Sequence, residues 1–298
     1  MIKQNKKICI VGGAGFIGSN LVDKLIELGH DVLVLDNLST GKKENINKKA
    51  NFINIDITNL ELIMPYFKNI DYVFHLAALA RVQPSIIDPI STHNANVNGT
   101  LNILWASYKN KIKRVIFSSS SSVYGDNYLP LLETFKPNPQ SPYALHKYIG
   151  ELYCRMFSII YNLETVCLRY FNVYGKNQRE EGAYALVIAK FLRQKREGKP
   201  MTITGDGKNT RDFTNVSDVV RANILAMESD LIDGEIINIG GGNNVSVNEI
   251  AKLIGGKTKH IKPRLEPQDT LASISKAKEK LGWEPMISLK EGIKMLLK

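Results

Sequence analysis

The sequence predicts an α/β protein: a doubly wound parallel sheet with helices on both faces, and a smaller C-terminal lobe interleaved with its last strands. Three observations carry this prediction. Short β-branched runs alternate with amphipathic segments as far as Asn172, the first of them runs into a glycine cluster, and a late strand-like run, IINIG, returns at Ile236–Gly240.

Each element has its own signature. KICIV (Lys7–Val11) is the first strand, and Phe16–Leu28, apolar on one face, is the helix after the glycines. DVLVLD, NFINI, DYVFHLA and KRVIFSS follow as strands, with helical patterns at Leu60–Phe67 and Asn96–Tyr108 between them. Ser141–Tyr161 reads as one long helix leading into the strand TVCLRYF. After Asn172 the spacing predicts helices at Tyr184–Arg196, Ser217–Met227, Ser246–Leu253, Ser275–Leu281 and Leu289–Leu297, with MTITGDG and RDFTNV as extended pieces. A large domain over residues 1–172, rejoined by segments near 211–240, and a lobe over most of 173–298 are therefore expected.

Composition narrows the class. With 298 residues, 44% hydrophobic and 23% charged, the chain matches an ordinary globular protein. No apolar run approaches membrane-spanning length, and the basic opening MIKQNKK leads into a first strand rather than a leader. Cys9, Cys154 and Cys167 have no paired spacing, which fits reduced core residues of a cytoplasmic protein. The histidines lack ligand spacing, so no metal is expected. A formal charge of +10 is spread over short lysine patches without a nucleic-acid motif, and neither nucleic acid nor membrane is an expected partner. Some of that charge suits phosphate-bearing ligands.

The glycine cluster points to a cofactor. GGAGFIG places Gly12, Gly15 and Gly18 between a strand and a helix, where missing side chains let a pyrophosphate approach the free N–H groups of the helix start. The second strand ends in Asp36, 18 residues after Gly18. A carboxylate there accepts both ribose hydroxyls of an adenosine and repels a 2′-phosphate, so NAD is favoured over NADP in this Rossmann-type unit. Asp56, after the third strand, reads equally as an adenine contact or a helix cap.

A second cluster carries chemistry. Five serines, Ser118–Ser122, directly follow the strand KRVIF, and downstream SPYALHK sets Tyr143 and Lys147 four residues apart on one helix face.

These motifs, with DNLSTG, HLAA, NxxGT, SSSSSVYG, LRYFNVYG, RDFTNVSDV and ISKAKEKLGW, resemble the extended short-chain dehydrogenase/reductase family, specifically its nucleotide-sugar 4-epimerases, along essentially the whole chain. The resemblance implies that Tyr143 is the base at the sugar 4-hydroxyl, that Lys147 favours its phenolate, and that Ser120 steadies the substrate oxygen with help from Ser122. It adds Phe16, Ile17, Asn37, Ile57, Leu76, Ala77, Ala78, Asn96 and Phe171 to the NAD contacts. It assigns the substrate diphosphate to Asn172, Arg211 and Arg264, although the late signature departs here to PRLEPQD, one residue short between Arg264 and Glu266.

Similar dehydratases carry Asp-Glu, and similar decarboxylases Glu, just before VYG. Ser121 and Ser122 stand there instead, and hydroxyls are no general acids near neutral pH. That leaves hydride return, hence redox-neutral epimerisation, and the resemblance implies UDP-glucose/UDP-galactose or UDP-GlcNAc/UDP-GalNAc as the pair converted. Gly182–Phe191 is similar to the matching stretch of epimerases acting on N-acetylated UDP-hexosamines, and Thr270 falls where a bulky tyrosine closes the pocket of glucose-restricted relatives. Rival readings are a UDP-glucuronate or lipid-diphosphosugar 4-epimerase, and an inactive NAD-binding regulatory module. A homodimer is implied through the Asn96–Tyr108 and Tyr143–Tyr161 helices, with Leu104, Leu152 and Met156 as candidate contacts.

Overall fold

A computed structural model describes residues 5–180, 186–231, 233–262 and 269–298. Seven strands form the central sheet: β1 (Lys7–Val11), β2 (Asp31–Asp36), β3 (Asn51–Asn54), β4 (Tyr72–His75), β5 (Arg114–Ser120), β6 (Glu164–Tyr170) and, much later, Glu235–Ile239. All pair in parallel, with the late strand beside β6, then β5, β4, β1, β2 and β3 across the sheet. The chain therefore moves one way from β1 to β3 and then crosses back to β4 on the other side of β1. This reversal opens a crevice at the carboxyl ends of β1 and β4, the place where such sheets bind ligands.

Alternation along the strands divides the core. Ile8 and Ile10 face Leu21, Val22 and Leu25 of the Phe16–Glu27 helix, whereas Cys9 and Val11 face Ile103 and Leu104 of Gly99–Lys109. Burying each such side chain contributes roughly 1.5–3 kcal/mol, so both faces are needed to hold the sheet. All three cysteines are free and buried. The Val216–Glu228 helix and Ala277, Leu281 and Trp283 close the first face, and the Trp283 indole N–H donates to the Asp218 carbonyl at 2.9 Å.

A separate apolar cluster holds the smaller lobe, joining Ile188 and Phe191 of the Val187–Arg196 helix to Met201, Ile203, Ile250 and Ile293. Residues 181–185 lie outside the described residues, so the predicted Tyr184 start of that helix does too. Two elements depart from the periodicity. Val82–Ile87 is helical despite Pro84, and Thr258–Ile261 pairs with Met201–Thr204 as a strand although all its residues are exposed. Among the described residues no helix is long and apolar enough to cross a membrane, and no cluster of metal-ligating side chains occurs.

Candidate active site

Every strand end at the crevice delivers part of the site. Gly12 follows β1 with φ +89°, and a Cβ there would lie 2.5 Å from the Ala77 backbone nitrogen beyond β4. Gly18 is as constrained, since its Cβ would come 2.1 Å from the Gly12 carbonyl oxygen. Gly15 begins the Phe16–Glu27 helix with no side-chain cap, and no acid occupies the first turn. Phe16 and Ile17, both half-buried, carry the open N–H groups of that turn. An uncapped helix start over closely packed glycines fits a pyrophosphate.

Asp36 ends β2 and is 8% exposed. Its carboxylate accepts the Ala14 N–H at 2.9 Å and the Leu38 N–H at 2.8 Å, and burial pushes its pKa up against those two bonds. Each oxygen keeps a lone pair for a ribose hydroxyl. We expect NAD to bind more tightly than NADP in a direct titration; comparable affinities would show that Asp36 does not meet the ribose. Asn37 donates to Asp56 at 2.9 Å. Asp56 also accepts from the Thr58 N–H and hydroxyl, and these bonds outweigh its burial and hold its pKa below the ordinary value.

Leu76 and Ala77 both donate their N–H to the Val11 carbonyl, which pins the HLAA turn, with half-buried Ala78 next, to the end of β1. Asn96 sits in a π-helical turn (Asn94–Asn98) ahead of Gly99–Lys109 and grips the Leu79 N–H at 2.8 Å and carbonyl at 3.1 Å. It thus shapes the loop that follows β4. Ile57 is buried against Gly99, where a Cβ would meet it at 2.6 Å. Phe171 is completely buried, packed with Tyr124 and Ala272.

The serines divide by side. Ser119 donates to Glu151, whereas the Ser122 hydroxyl donates to Ser120 at 2.9 Å and both stay half-buried at the end of β5. Opposite them, Ser141 caps the Pro142–Tyr161 helix by accepting the Ala144 N–H, and Pro142 occupies its first turn. That start puts Tyr143 at the crevice and Lys147 one turn deeper. Burial raises the Tyr143 pKa, while the Ser120 hydroxyl and the Arg81 guanidinium pull it down. The Lys147 amine donates to the Ser118 carbonyl at 2.7 Å, and burial lowers its pKa to about 8.

Ser85 escaped the sequence reading. Buried Ser85 accepts the Tyr143 N–H at 3.1 Å and donates to the Val82 carbonyl, tying the Val82–Ile87 helix to the start of the tyrosine helix. Arg81, just before it, has φ 125°, a strained value for a side-chain-bearing residue.

The far wall is built by long-range bonds. Asn172, in the left-handed region at φ 25°, donates to the Asp212 carbonyl at 2.9 Å and to the Thr270 hydroxyl at 3.1 Å. The Asp212 carboxylate accepts N–H groups from Gly241, Gly242 and Ala272, and burial pushes its pKa up to about 6 despite them. Asp218 is engaged by Arg221, Met286 and Ile287. Arg211 is half-buried beside Asn172's partner Asp212 and lies close enough to Asp269 to lower its pKa, after the two bonds from Thr210. Asn172, Arg211 and Thr270 are thus brought together; Arg264 and Glu266 lie outside the described residues.

Comparison with known proteins finds relatives along nearly the whole chain. The model of the NAD dependent epimerase/dehydratase family matches residues 8–240. A Methanocaldococcus jannaschii protein provisionally named UDP-glucose 4-epimerase is 45% identical, covering 97% of each chain. The solved UDP-glucose 4-epimerase of Thermotoga maritima with UDP-glucose superposes with a TM-score of 0.94 at 43% identity, over 98% of this chain and 97% of that one. The UDP-N-acetylglucosamine 4-epimerase of Methanobrevibacter ruminantium, in complex with UDP-N-acetylmuramic acid, does so with a TM-score of 0.94 at 38% identity and the same coverage.

Proposed function

The chain belongs to the NAD-dependent epimerase/dehydratase family, and on that premise we propose that it is a UDP-sugar 4-epimerase. The observation that carries the reading is the meeting of Ser120, Tyr143 and Lys147 at the strand ends beside an uncapped phosphate helix. Bound NAD supplies the acceptor and donor of the hydride at C4. Tyr143 takes the proton of the 4-hydroxyl and returns it after the sugar has turned. Ser120, steadied by Ser122, holds the reacting oxygen, and the Lys147 ammonium favours the phenolate electrostatically. The two positions just before VYG, where similar dehydratases and decarboxylases carry their acids, hold Ser121 and Ser122, whose hydroxyls cannot drive elimination or decarboxylation. Asn172 and Arg211 hold the diphosphate, with a planar guanidinium suited to two oxygens at once.

Incubation with UDP-glucose, UDP-N-acetylglucosamine and UDP-glucuronic acid, without added cofactor, tests this by NMR of the products. Appearance of 4-epimers is expected; turnover of UDP-glucuronic acid alone would shift the assignment to that acid, and no turnover would refute it.

Thr270 supports an acetylated substrate. It is half-buried, bonded to Asn172, and smaller than the tyrosine of glucose-restricted relatives. Overfilling the pocket costs about 1–3 kcal/mol. Thr270→Tyr is therefore expected to lower kcat/KM for UDP-GlcNAc and UDP-GalNAc about tenfold while sparing UDP-glucose and UDP-galactose. Equal loss for both pairs would remove Thr270 from the pocket wall.

A homodimer is the proposed assembly. Leu104 must be withdrawn from its contacts, since it is fully buried against its own sheet; helix amphipathicity alone had not separated inner from outer face. The exposed surface of Pro142–Tyr161 instead carries Leu145, Leu152, Ile159 and Ile160, with Met156 partly buried in the chain's own core. Light scattering should give twice the chain mass at micromolar concentration, and a monomer would exclude the assembly.

A further inference from the structure

Glu151 is the acidic residue of the tyrosine helix, one turn beyond Lys147 and two beyond Tyr143. Its side chain is 1% exposed. Oε1 accepts the Ser119 hydroxyl at 2.5 Å and Arg169 Nε at 2.7 Å, and Oε2 accepts Arg169 Nη2 at 2.7 Å. Arg169 in turn lies over the Tyr124 ring, 4.5 Å from its centroid. One residue earlier on the same strand, the Ser118 carbonyl accepts Lys147. The helix therefore grips the strand end twice, at two successive residues, immediately before Ser120. A buried ion pair is not in itself a stabilising device, because desolvation offsets its Coulomb attraction. Its place beside the reacting groups calls for a further account.

We propose that Glu151 is a positioning residue for the 4-epimerase reaction: it fixes the serine strand to the helix one turn beyond Lys147 and sets a carboxylate among the groups around that amine. The proposal rests on the reading above. Lys147 is faced by Glu151, His146 and Cys154 from its own helix, by His75 from β4, and by the Phe117 ring 5.0 Å away on β5. Burial dominates and strips the amine of proton affinity; Glu151 is the first group to oppose it, and Cys154 the second. His75 and His146 are pushed down to about 3 and about 4, mainly by burial, so both are neutral near pH 7. The Thr100 hydroxyl donates to the Asn96 carbonyl, so His75 Nε2 carries the proton toward Thr100, leaving Nδ1 as an unprotonated acceptor. Among these groups facing Lys147, Glu151 is the carboxylate.

The test is a nitrogen-15 NMR titration of the Lys147 amine in the NAD-bound chain, assigned by its loss in Lys147→Met. Glu151→Gln keeps the volume and an acceptor for Ser119 but removes the charge. Lys147 is then expected to lose its proton at about tenfold higher proton activity, one pH unit lower. The alkaline limb of kcat/KM should move with it while KM changes little, a signature that a purely structural role would not produce. Should Glu151→Gln fail to fold, Glu151→Met combined with Arg169→Met removes both buried charges, and a shift in the same direction is expected. An unchanged Lys147 titration in either folded variant overturns the proposal. The titration needs no turnover, so a chain inactive on every UDP-sugar would refute the reaction and still leave Glu151 decided.

Discussion

Tyr143→Phe is expected to lower turnover by roughly two to four orders of magnitude, the usual reach of a positioned general base, while NAD remains bound. The Tyr143 hydroxyl is bonded to Ser120 at the end of β5, and the substitution removes that hydroxyl while keeping the ring. In the chain by itself burial raises the Tyr143 pKa, and Ser120 and Arg81 oppose this. In the proposed mechanism, proton abstraction near neutral pH calls for additional positive charge, the part proposed for Lys147 and the oxidised nicotinamide ring. Steady-state turnover and retained NAD absorbance measure the two halves separately. Near-normal turnover would assign the base elsewhere.

Gly18→Ala is expected to weaken NAD binding by roughly a hundredfold, because overpacking of a few kcal/mol translates into that range. The added carbon would stand 2.1 Å from the Gly12 carbonyl oxygen, and that neighbour is backbone. Either the first turn of Phe16–Glu27 swings away from the pyrophosphate position, or Gly12 moves off Ala77, where a Cβ already has no room. Both displacements open the crevice between β1 and β4. Calorimetric titration with NAD reads the effect, and wild-type affinity would mean that the turn is looser than its packing implies.

Much of the site was legible because its parts are local. GGAGFIG announces a tight turn and an open helix start through missing side chains. Ser141, Pro142 and the i,i+4 spacing of Tyr143 and Lys147 specify a capped helix and a shared face without any tertiary information. The parallel sheet with helices on both faces followed from the alternation of strand and helix patterns, whereas the order of its strands came only with the structure. What escaped depends on distance along the chain. Ser85 meets Tyr143 across 58 residues, and Asp212 collects N–H groups from residues 29, 30 and 60 positions away. No local pattern marks such partners. Thr258–Ile261 was missed because a strand with every residue exposed shows no hydrophobic period, and Val82–Ile87 because Pro84 argues against a helix interior. Leu104 was misdirected since a helix packed on two neighbours has apolar residues on more than one face.

The loop from Gly175 to Glu180 has the same long-range character. Asn20 donates to the Lys176 carbonyl at 2.9 Å, and Asn177 donates to the Ser19 hydroxyl at 3.0 Å. These bonds lay the segment after LRYFNVYG on the Phe16–Glu27 helix and so tie the wall that holds Asn172 to the glycine turn.

Return of the same hydride is the central claim, and isotope labelling addresses it most directly. A UDP-sugar that the chain turns over, carrying deuterium at C4, is incubated with protein purified and assayed without added NAD, and the product is examined by NMR. The account predicts a 4-epimer that keeps the deuterium at C4, since Tyr143 exchanges only the hydroxyl proton. Loss of the label to solvent, or a product shortened or dehydrated at the sugar, would contradict it.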